Sequence, residues 1–156
     1  MALLDTVDCN ARQAQAEGNS TTGAHIPPRV VLADDQEEIL GTIARILEGE
    51  FQIVGMAENG AQVLELVVKQ SPDVLLLDIF MPILNGFETV ASLKASGCPA
   101  KILFVTVQDD PDFVECAISV GALGYVLKSH LATDLIPAIR SVLEGRRYIS
   151  SSINSY

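Results

Sequence analysis

The chain has 156 residues, of which 49% are hydrophobic and 19% are charged, and its formal net charge at pH 7 is −10. This length is enough for one domain with a full core, and the composition is that of a globular chain rather than a disordered one. Because an acidic surface repels phosphate backbones and anionic lipids, and no apolar run reaches the roughly 18 residues of a membrane span, this chain is predicted to bind neither DNA nor a membrane by itself.

The cysteines and the N-terminus predict a cytoplasmic protein. Cys9, Cys98 and Cys116 are odd in number and show no CxxC spacing, so we interpret them as reduced packing residues. The N-terminus has neither a basic start nor a long apolar stretch, which argues against a secretory signal. Residues 1–28 mix small and polar residues without a sustained period, and we predict a flexible extension there.

From residue 29 the pattern becomes regular. VVLAD (30–34) predicts a short strand, and apolar residues at helical spacing between 39 and 47 predict the first helix. FQIVGMA (51–57) predicts a second strand, followed by a helix that opens near Asn59, a plausible N-cap. DVLLLD (73–78) is apolar without alternation, which is typical of a strand covered on both faces of a parallel sheet.

The second half of the chain continues the alternation. A helix is predicted around 87–95 and a fourth buried strand at KILFVT (101–106). PDFVECAISVG (111–121) begins with proline and ends with glycine, the usual asymmetry of a helix. GYVLK (124–128) predicts the fifth strand.

The last predicted helix spans residues 132–144 and has an apolar stripe along one face. Pro137 falls inside it, and we predict that this proline lies near the first turn, since farther in it would break the helix. Residues 149–156 are polar and are predicted to begin a linker.

Five strands that alternate with five helices predict an α/β fold with a doubly wound parallel sheet. In such sheets the functional site lies at the carboxyl ends of the strands. Four of the five predicted strands deliver polar side chains to that edge, and these residues are Asp34, Asp35, Asp78, Thr106 and Lys128.

The chemistry of these side chains is that of phosphoryl transfer. Three crowded carboxylates repel one another unless a cation joins them, and an all-oxygen site suits Mg²⁺. A carboxylate beside Mg²⁺ and a lysine is a workable phosphoryl acceptor that would give an acyl phosphate. Taken alone, Asp35 could equally be the N-cap of the helix that follows it.

The stretches VVLADD (30–35), LLLDIFMPILNGFE (75–88), ILFVT (102–106) and GALGYVLK (121–128) resemble the receiver domain of two-component response regulators. The resemblance covers about residues 29–148. The ending AIRSVLEGRRYIS (138–150) is similar to the NarL/LuxR-type subgroup. The resemblance implies a flavodoxin-like, CheY-like fold with the strand order 2-1-3-4-5.

The resemblance also implies a role for each site residue. Asp78 would be the phosphoacceptor, with Thr106 and Lys128 as the pair that senses the phosphoryl group and Tyr125 as the switch residue. Asp35, Asp78 and the backbone carbonyl of Phe80 would ligate Mg²⁺, and Asp34 would act mostly through water. Phe80 and Gln108 flank the site and are expected to tune the lifetime of the phosphoryl group.

The function so implied is a phosphorylation-activated switch rather than a conventional enzyme. It would accept its phosphoryl group from a sensor histidine kinase and control an output, which in this subgroup is transcription. DNA would be bound only by an output domain absent from this chain. A homodimer is expected through residues 111–144, with Tyr125 in the middle of that face.

Several alternatives stay open on the sequence alone. The chain could be a stand-alone receiver that acts through protein contacts, or an unphosphorylated pseudo-receiver. A phosphatase of the haloacid dehalogenase type also uses aspartate and Mg²⁺, but it needs D-x-D after the first strand. A flavodoxin-like flavin binder needs a phosphate loop there, and DDQEEIL has the wrong charge.

One position departs from the family pattern. Many receivers have a proline after the lysine, joined to it by a cis peptide bond, and here the residue is Ser129. A cis bond before serine costs about 3–4 kcal/mol, so the geometry of the Lys128–Ser129 loop is left open.

Overall fold

A computed structural model describes residues 26–153 of the chain. Residues 1–25, and with them nearly all of the predicted N-terminal extension, lie outside the described residues, as do 154–156. Within the described range, no helix is long and apolar enough to cross a membrane.

The described residues form one parallel sheet with helices on both faces. The strands are β1 (Arg29–Ala33), β2 (Gln52–Ala57), β3 (Val74–Leu77), β4 (Lys101–Thr106), β5 (Gly124–Leu127) and β6 (Tyr148–Ile149). The helices are α1 (Glu37–Leu47), α2 (Gly60–Gln70), α3 (Gly86–Ala95), α4 (Pro111–Val120) and α5 (Leu131–Leu143), with a 3₁₀ turn at Lys128–His130. The strand order is β2-β1-β3-β4-β5-β6.

The predicted fold class and strand order are confirmed, but the sheet has a sixth strand that the sequence did not predict. Tyr148 and Ile149 pair in parallel with Gly124 and Tyr125. A strand of two residues has no readable alternation, so only its tertiary partner reveals it. Beyond it Ser150 is 1% exposed and Ile153 is 5% exposed, so the segment predicted to begin a linker packs on the domain as far as residue 153.

The core lies in two layers, one on each side of the sheet. On one side, alternate residues of the central strands such as Val31 and Leu75 pack with α2, α3 and α4. On the other side, Leu32 and Leu76 pack with α1 and α5. Because every residue of β3 is buried, its apolar run shows no alternation.

Local signals fix several helix ends. Asn59 caps α2 as predicted, and its side chain accepts a hydrogen bond from the backbone N–H of Gln62. Asn85 and Glu88 form a reciprocal capping box at the start of α3. Both helices therefore begin directly after the loops that leave the carboxyl edge of the sheet.

The prediction for Pro137 was wrong. It is the seventh residue of α5, in the helix interior. Leu135 and Ile139 are fully buried on either side of it, whereas the proline is exposed. Packing of the apolar face therefore holds the helix together across a position that lacks one backbone hydrogen bond.

Gly86 marks a close approach between α3 and the backbone at Asp78, just past the end of β3. A Cβ placed there would lie 2.3 Å from the backbone oxygen of Asp78 and 2.8 Å from the ring of Phe104. We expect Gly86→Ala to lower the free energy of unfolding by about 2–4 kcal/mol, because the backbone would have to move. Urea unfolding measures this change.

Gly41 is the matched control. It lies inside α1, and a Cβ there would meet nothing within 4 Å. Gly41→Ala is expected to raise the free energy of unfolding by about 0.5–1 kcal/mol, the usual gain in helix propensity. Equal changes in the free energy of unfolding for Gly86→Ala and Gly41→Ala would contradict the close packing at Gly86.

Candidate phosphoacceptor site

The backbone ladder places two buried acids side by side just past the ends of β1 and β3. The N–H of Asp34 donates to the carbonyl of Ala57 at 3.0 Å, and the N–H of Asp78 donates to the carbonyl of Ala33 at 3.0 Å. Asp34 is 2% exposed and Asp78 is 7% exposed. Sheet hydrogen bonds, rather than side-chain packing, therefore fix the spacing of these carboxylates.

Lys128 joins the two acids. Its Nζ lies 2.7 Å from Oδ2 of Asp34 and 3.0 Å from Oδ2 of Asp78. The second oxygen of each carboxylate accepts a backbone N–H, from Gln36 at 2.9 Å and from Ile79 at 2.8 Å. Each buried carboxylate thus has one bond to a cation and one to the backbone, which is how buried charges are satisfied.

Asp35 completes the acidic group from the exposed side. Asp34, Asp35 and Asp78 each offer a carboxylate oxygen, and these oxygens lie within 4.8 Å of one another. The N-cap of α1 is Gln36 rather than Asp35, so the alternative role of Asp35 as a helix cap is not observed. An all-oxygen donor set that is open on one side fits Mg²⁺, which keeps several waters.

Burial raises the pKa of Asp34 above its ordinary value of 3.8, even though hydrogen bonds from Lys128 and Gln36 act in the opposite direction. For Lys128, burial alone would lower the pKa, but the hydrogen bonds and charges of Asp34 and Asp78 raise it above 10.5. Lys128 is therefore a firmly protonated cation, whereas the ionised form of Asp34 is held at a cost.

Thr106 and Tyr125 are connected through the backbone of Gln108. The N–H of Gln108 donates to Oγ1 of Thr106 at 3.3 Å, and its carbonyl accepts the hydroxyl of Tyr125 at 2.7 Å. The sequence pattern predicts both side chains near the site but not this link, because a contact made by a backbone does not depend on residue type.

Tyr125, predicted to lie in the middle of the face formed by residues 111–144, does not reach the surface of that face. The residue is only 1% exposed, because its ring belongs to the core and β6 covers the outer edge of its strand. Burial, and then the charges of Asp109, Asp110 and Asp78, raise the pKa of its hydroxyl. Tyr125 is thus an inward-facing, neutral residue.

Phe80 and Ser129 are the two remaining positions that the sequence singles out beside the site. Phe80 is 52% exposed, and its ring packs edge-to-face on Phe113 with the centroids 5.7 Å apart. No cis peptide bond occurs in the described part of the chain, so the Lys128–Ser129 bond is trans. The 3₁₀ turn at Lys128–His130 follows directly and leads into α5.

The fold and this edge define an α/β protein of the flavodoxin-like class, with an acidic site at the switch point of its sheet. Comparison with known proteins gives the family. Residues 30–140 match the response regulator receiver domain, and the chain belongs to that family. The haloacid dehalogenase-type phosphatase and the flavin binder are therefore no longer alternatives.

Similar proteins of known sequence are transcriptional regulators. The chain is 37% identical over 120 residues to the transcriptional regulatory protein DesR of Bacillus subtilis, covering 76% of this chain and 59% of DesR. It is 37% identical over 127 residues to the transcriptional regulatory protein DegU of Brevibacillus brevis, covering 80% of this chain and 54% of DegU. The chain thus spans little more than half the length of these relatives.

Solved structures of the LuxR family are also similar. A two-component response regulator from Aurantimonas sp. SI85-9A1 superposes with a TM-score of 0.78 at 28% identity, covering 83% of this chain and 94% of that one. A DNA-binding response regulator from Staphylococcus aureus gives a TM-score of 0.70 at 27% identity, covering 74% of this chain and 98% of that one. The resemblance to the NarL/LuxR-type subgroup is therefore confirmed.

The raised pKa of Asp34 predicts a pH-dependent effect of Asp34→Asn in metal-free buffer. Since the pKa is higher in the folded state than the ordinary 3.8, the ionised carboxylate lowers stability at neutral pH, and this penalty disappears as the pH falls toward 3.8. We expect Asp34→Asn to raise the free energy of unfolding at neutral pH, with a gain that shrinks in acid. Urea unfolding with a chelator present measures both values.

Glu115→Gln is the control, because Glu115 is exposed on α4. It should change the free energy of unfolding by no more than about 0.5 kcal/mol at either pH. A loss of stability in Asp34→Asn at neutral pH would show instead that the ion pair with Lys128 outweighs the burial of the carboxylate.

Proposed function

We propose that Asp78 accepts a phosphoryl group from a sensor histidine kinase and that this chain is the switch of a two-component system. The observation that carries the proposal is the contact of Lys128 Nζ with both Asp34 and Asp78 at the carboxyl edge of the sheet. Membership of the receiver family agrees with it.

Transfer of the phosphoryl group needs little beyond correct positioning of the reacting groups and positive charge near the transferred oxygens. A carboxylate oxygen of Asp78 would attack the phosphorus, the bond to the donor would break, and an acyl phosphate would remain on Asp78. Lys128 supplies a fixed positive charge for the oxygens of the transferred group, and Thr106 supplies a hydroxyl. Autocatalysed transfer and hydrolysis of this kind are part of the proposal, whereas the receiver family itself is not a conventional enzyme family.

The metal in this proposal is Mg²⁺. Asp35, Asp78 and the backbone carbonyl of Phe80 would hold it, with Asp34 acting mostly through water, and the all-oxygen cluster of the three acids supports this assignment. When bound, the ion neutralises negative charge that builds up as the phosphoryl group is transferred.

The conformational change caused by phosphorylation would pass from Asp78 to Thr106 and then to Tyr125. Their shared contacts with Gln108 give these two residues a common support, so a hydroxyl drawn toward a phosphoryl group would disturb the loop that holds the tyrosine. Phe80 and Gln108 would influence how long the phosphoryl group survives, because both lie beside the site.

The output proposed for the whole protein is transcription. DesR and DegU are transcriptional regulatory proteins, and each is longer than the part that this chain covers. DNA would be bound by an output domain outside this chain, since the chain itself is strongly acidic. A cytoplasmic location belongs to the proposal too, and the exposed thiol of Cys116 suits a reducing compartment.

Incubation with a small phosphodonor and Mg²⁺ tests the proposed reaction. The parent protein is expected to gain the mass of one phosphoryl group, and the adduct should be labile to base, as acyl phosphates are. Without Mg²⁺, or in Asp35→Ala, the rate of gain should fall at least about tenfold, because the charge on the transferring group is less well neutralised. Intact mass spectrometry over time measures these rates.

Asp78→Asn is the control for the site of attachment. It keeps the size of the side chain but removes the nucleophile, so no adduct should form. An equal gain of mass in Asp78→Asn would contradict the assignment of Asp78 as the phosphoacceptor. A parent protein that gains nothing from either a phosphodonor or a kinase would favour the pseudo-receiver alternative.

We also propose that phosphorylation promotes a homodimer through residues 111–144. The exposed surfaces of α4 and α5 are available for this contact, whereas β6 pairs along β5 and Tyr125 is buried, so the strand itself would not take part. A dimer would bring two output domains together, which matches the symmetry of many operators.

Sedimentation with and without phosphodonor tests self-association. The parent is expected to shift from monomer toward dimer on phosphorylation, and Asp78→Asn should not shift under the same conditions. Because the contact would lie on α4, an exposed charge reversal there, Glu115→Arg, should weaken the dimer without changing the rate of phosphorylation. If association is unchanged in the fully phosphorylated parent, dimerisation of this chain is ruled out.

A further inference from the structure

Segment 148–153 runs along the outer edge of the strand that precedes Lys128. The N–H of Tyr148 donates to the carbonyl of Leu123 at 3.0 Å, and the N–H of Ser150 donates to the carbonyl of Tyr125 at 2.9 Å. The ladder thus extends one residue past Ile149, the last residue of β6. The chain leaves the sheet immediately afterwards.

At Ser150 the side-chain hydroxyl, rather than the backbone carbonyl, accepts the hydrogen bond from β5. In a regular parallel ladder the carbonyl of Ser150 would accept the N–H of Leu127. That carbonyl instead accepts the N–H of Ile153 at 3.1 Å, because the chain turns away. The hydroxyl oxygen of Ser150 accepts the N–H of Leu127 at 3.1 Å, so a buried donor at the end of β5 stays satisfied.

The same hydroxyl is fixed by a buried carboxylate. Oγ of Ser150 donates to Oδ2 of Asp134 at 2.8 Å, and the other oxygen, Oδ1, accepts from Oγ1 of Thr133 at 3.2 Å. Asp134 is 8% exposed and lies in the first turn of α5, where the helix dipole favours a negative charge.

This network ends one residue before the site lysine. Leu127 is the last residue of β5, and Lys128 follows it with its Nζ between Asp34 and Asp78. A hydrogen bond that fixes the backbone at Leu127 also fixes the point from which the lysine side chain extends. Buried hydroxyl groups normally have hydrogen-bond partners. The hydroxyl of Ser150 is unusual because one of its partners is the backbone N–H of Leu127, the residue directly before Lys128.

We propose that Ser150 is a positioning residue for the phosphoacceptor site: its hydroxyl holds the end of β5, and thereby makes the placement of Lys128 depend on the docking of segment 148–153. The inference rests on the proposed function, since it concerns the efficiency of phosphorylation at Asp78. Through Leu127, segment 148–153 is then directly connected to the residues of the site.

The test compares Ser150→Ala with Ser151→Ala, an exposed neighbour that serves as the matched control. Ser150→Ala is expected to slow phosphorylation by a small phosphodonor about fivefold, the rate change that corresponds to one net hydrogen bond. Ser151→Ala should keep the parental rate. Circular dichroism and melting curves confirm that the variants compared are folded at the assay temperature.

A double-mutant cycle separates positioning from a general structural effect. If Ser150 acts through the lysine, adding Ser150→Ala to Lys128→Ala should cause no further loss of rate. A further loss of about fivefold in that background would overturn the inference. Should Ser150→Ala fail to fold, Asp134→Asn replaces it throughout the cycle, because it weakens the same network while preserving the shape of the side chain.

A second readout does not need phosphorylation. The ammonium signal of Lys128, followed by NMR in unphosphorylated protein with isotope-labelled lysine, should move in Ser150→Ala and stay in place in Ser151→Ala. If the parent gains no phosphoryl group, the proposed function fails, and this signal alone decides the positioning role. An unmoved signal in a folded Ser150→Ala variant would overturn it, whatever the outcome for phosphorylation.

Discussion

Lys128 is a buried cation held between two buried carboxylates, and the arrangement of the site depends on that triad. The acids are close because the ladder between β1, β2 and β3 sets their backbones side by side, which leaves their charges to be balanced by other groups. Lys128 supplies one balancing positive charge and contacts both carboxylates. It directly follows β5, which lies two strands away from β3 in the sheet. The site therefore forms only when all the central strands are in register. Asp35 adds a third carboxylate from the exposed side of this group.

The strand that precedes Lys128 is hydrogen-bonded along both edges. On its inner edge β5 pairs with β4, whose last residue is Thr106, and on its outer edge it is covered by Tyr148 and Ser150. Tyr125 is buried in this strand, and its hydroxyl donates to the carbonyl of Gln108. The strand is thus held by hydrogen bonds along both edges, and segment 148–153 provides those of the outer edge.

The relatives that this chain matches are longer proteins. DesR and DegU extend well beyond the region that this chain matches, and both are transcriptional regulators. In this chain, the contact between segment 148–153 and β5 consists of a few hydrogen bonds made by Tyr148 and Ser150.

The sequence by itself determined the fold class, the strand order through its family resemblance, and the convergence of Asp34, Asp78 and Lys128 on one edge. The fold class and the convergence of the site residues follow from apolar runs that end in polar residues, a pattern that can be read without knowledge of contacts, whereas the strand order rests on the resemblance alone. The burial of Tyr125, the sixth strand and the continuation of α5 through Pro137 could not be predicted in this way. Each depends on a partner distant in the chain, because a two-residue strand has no period and a proline is tolerated only where packing compensates for its lost hydrogen bond. Only the tertiary structure decided that the hydroxyl of Ser150 replaces a backbone carbonyl, since that role belongs to the place where the chain turns and not to the residue type.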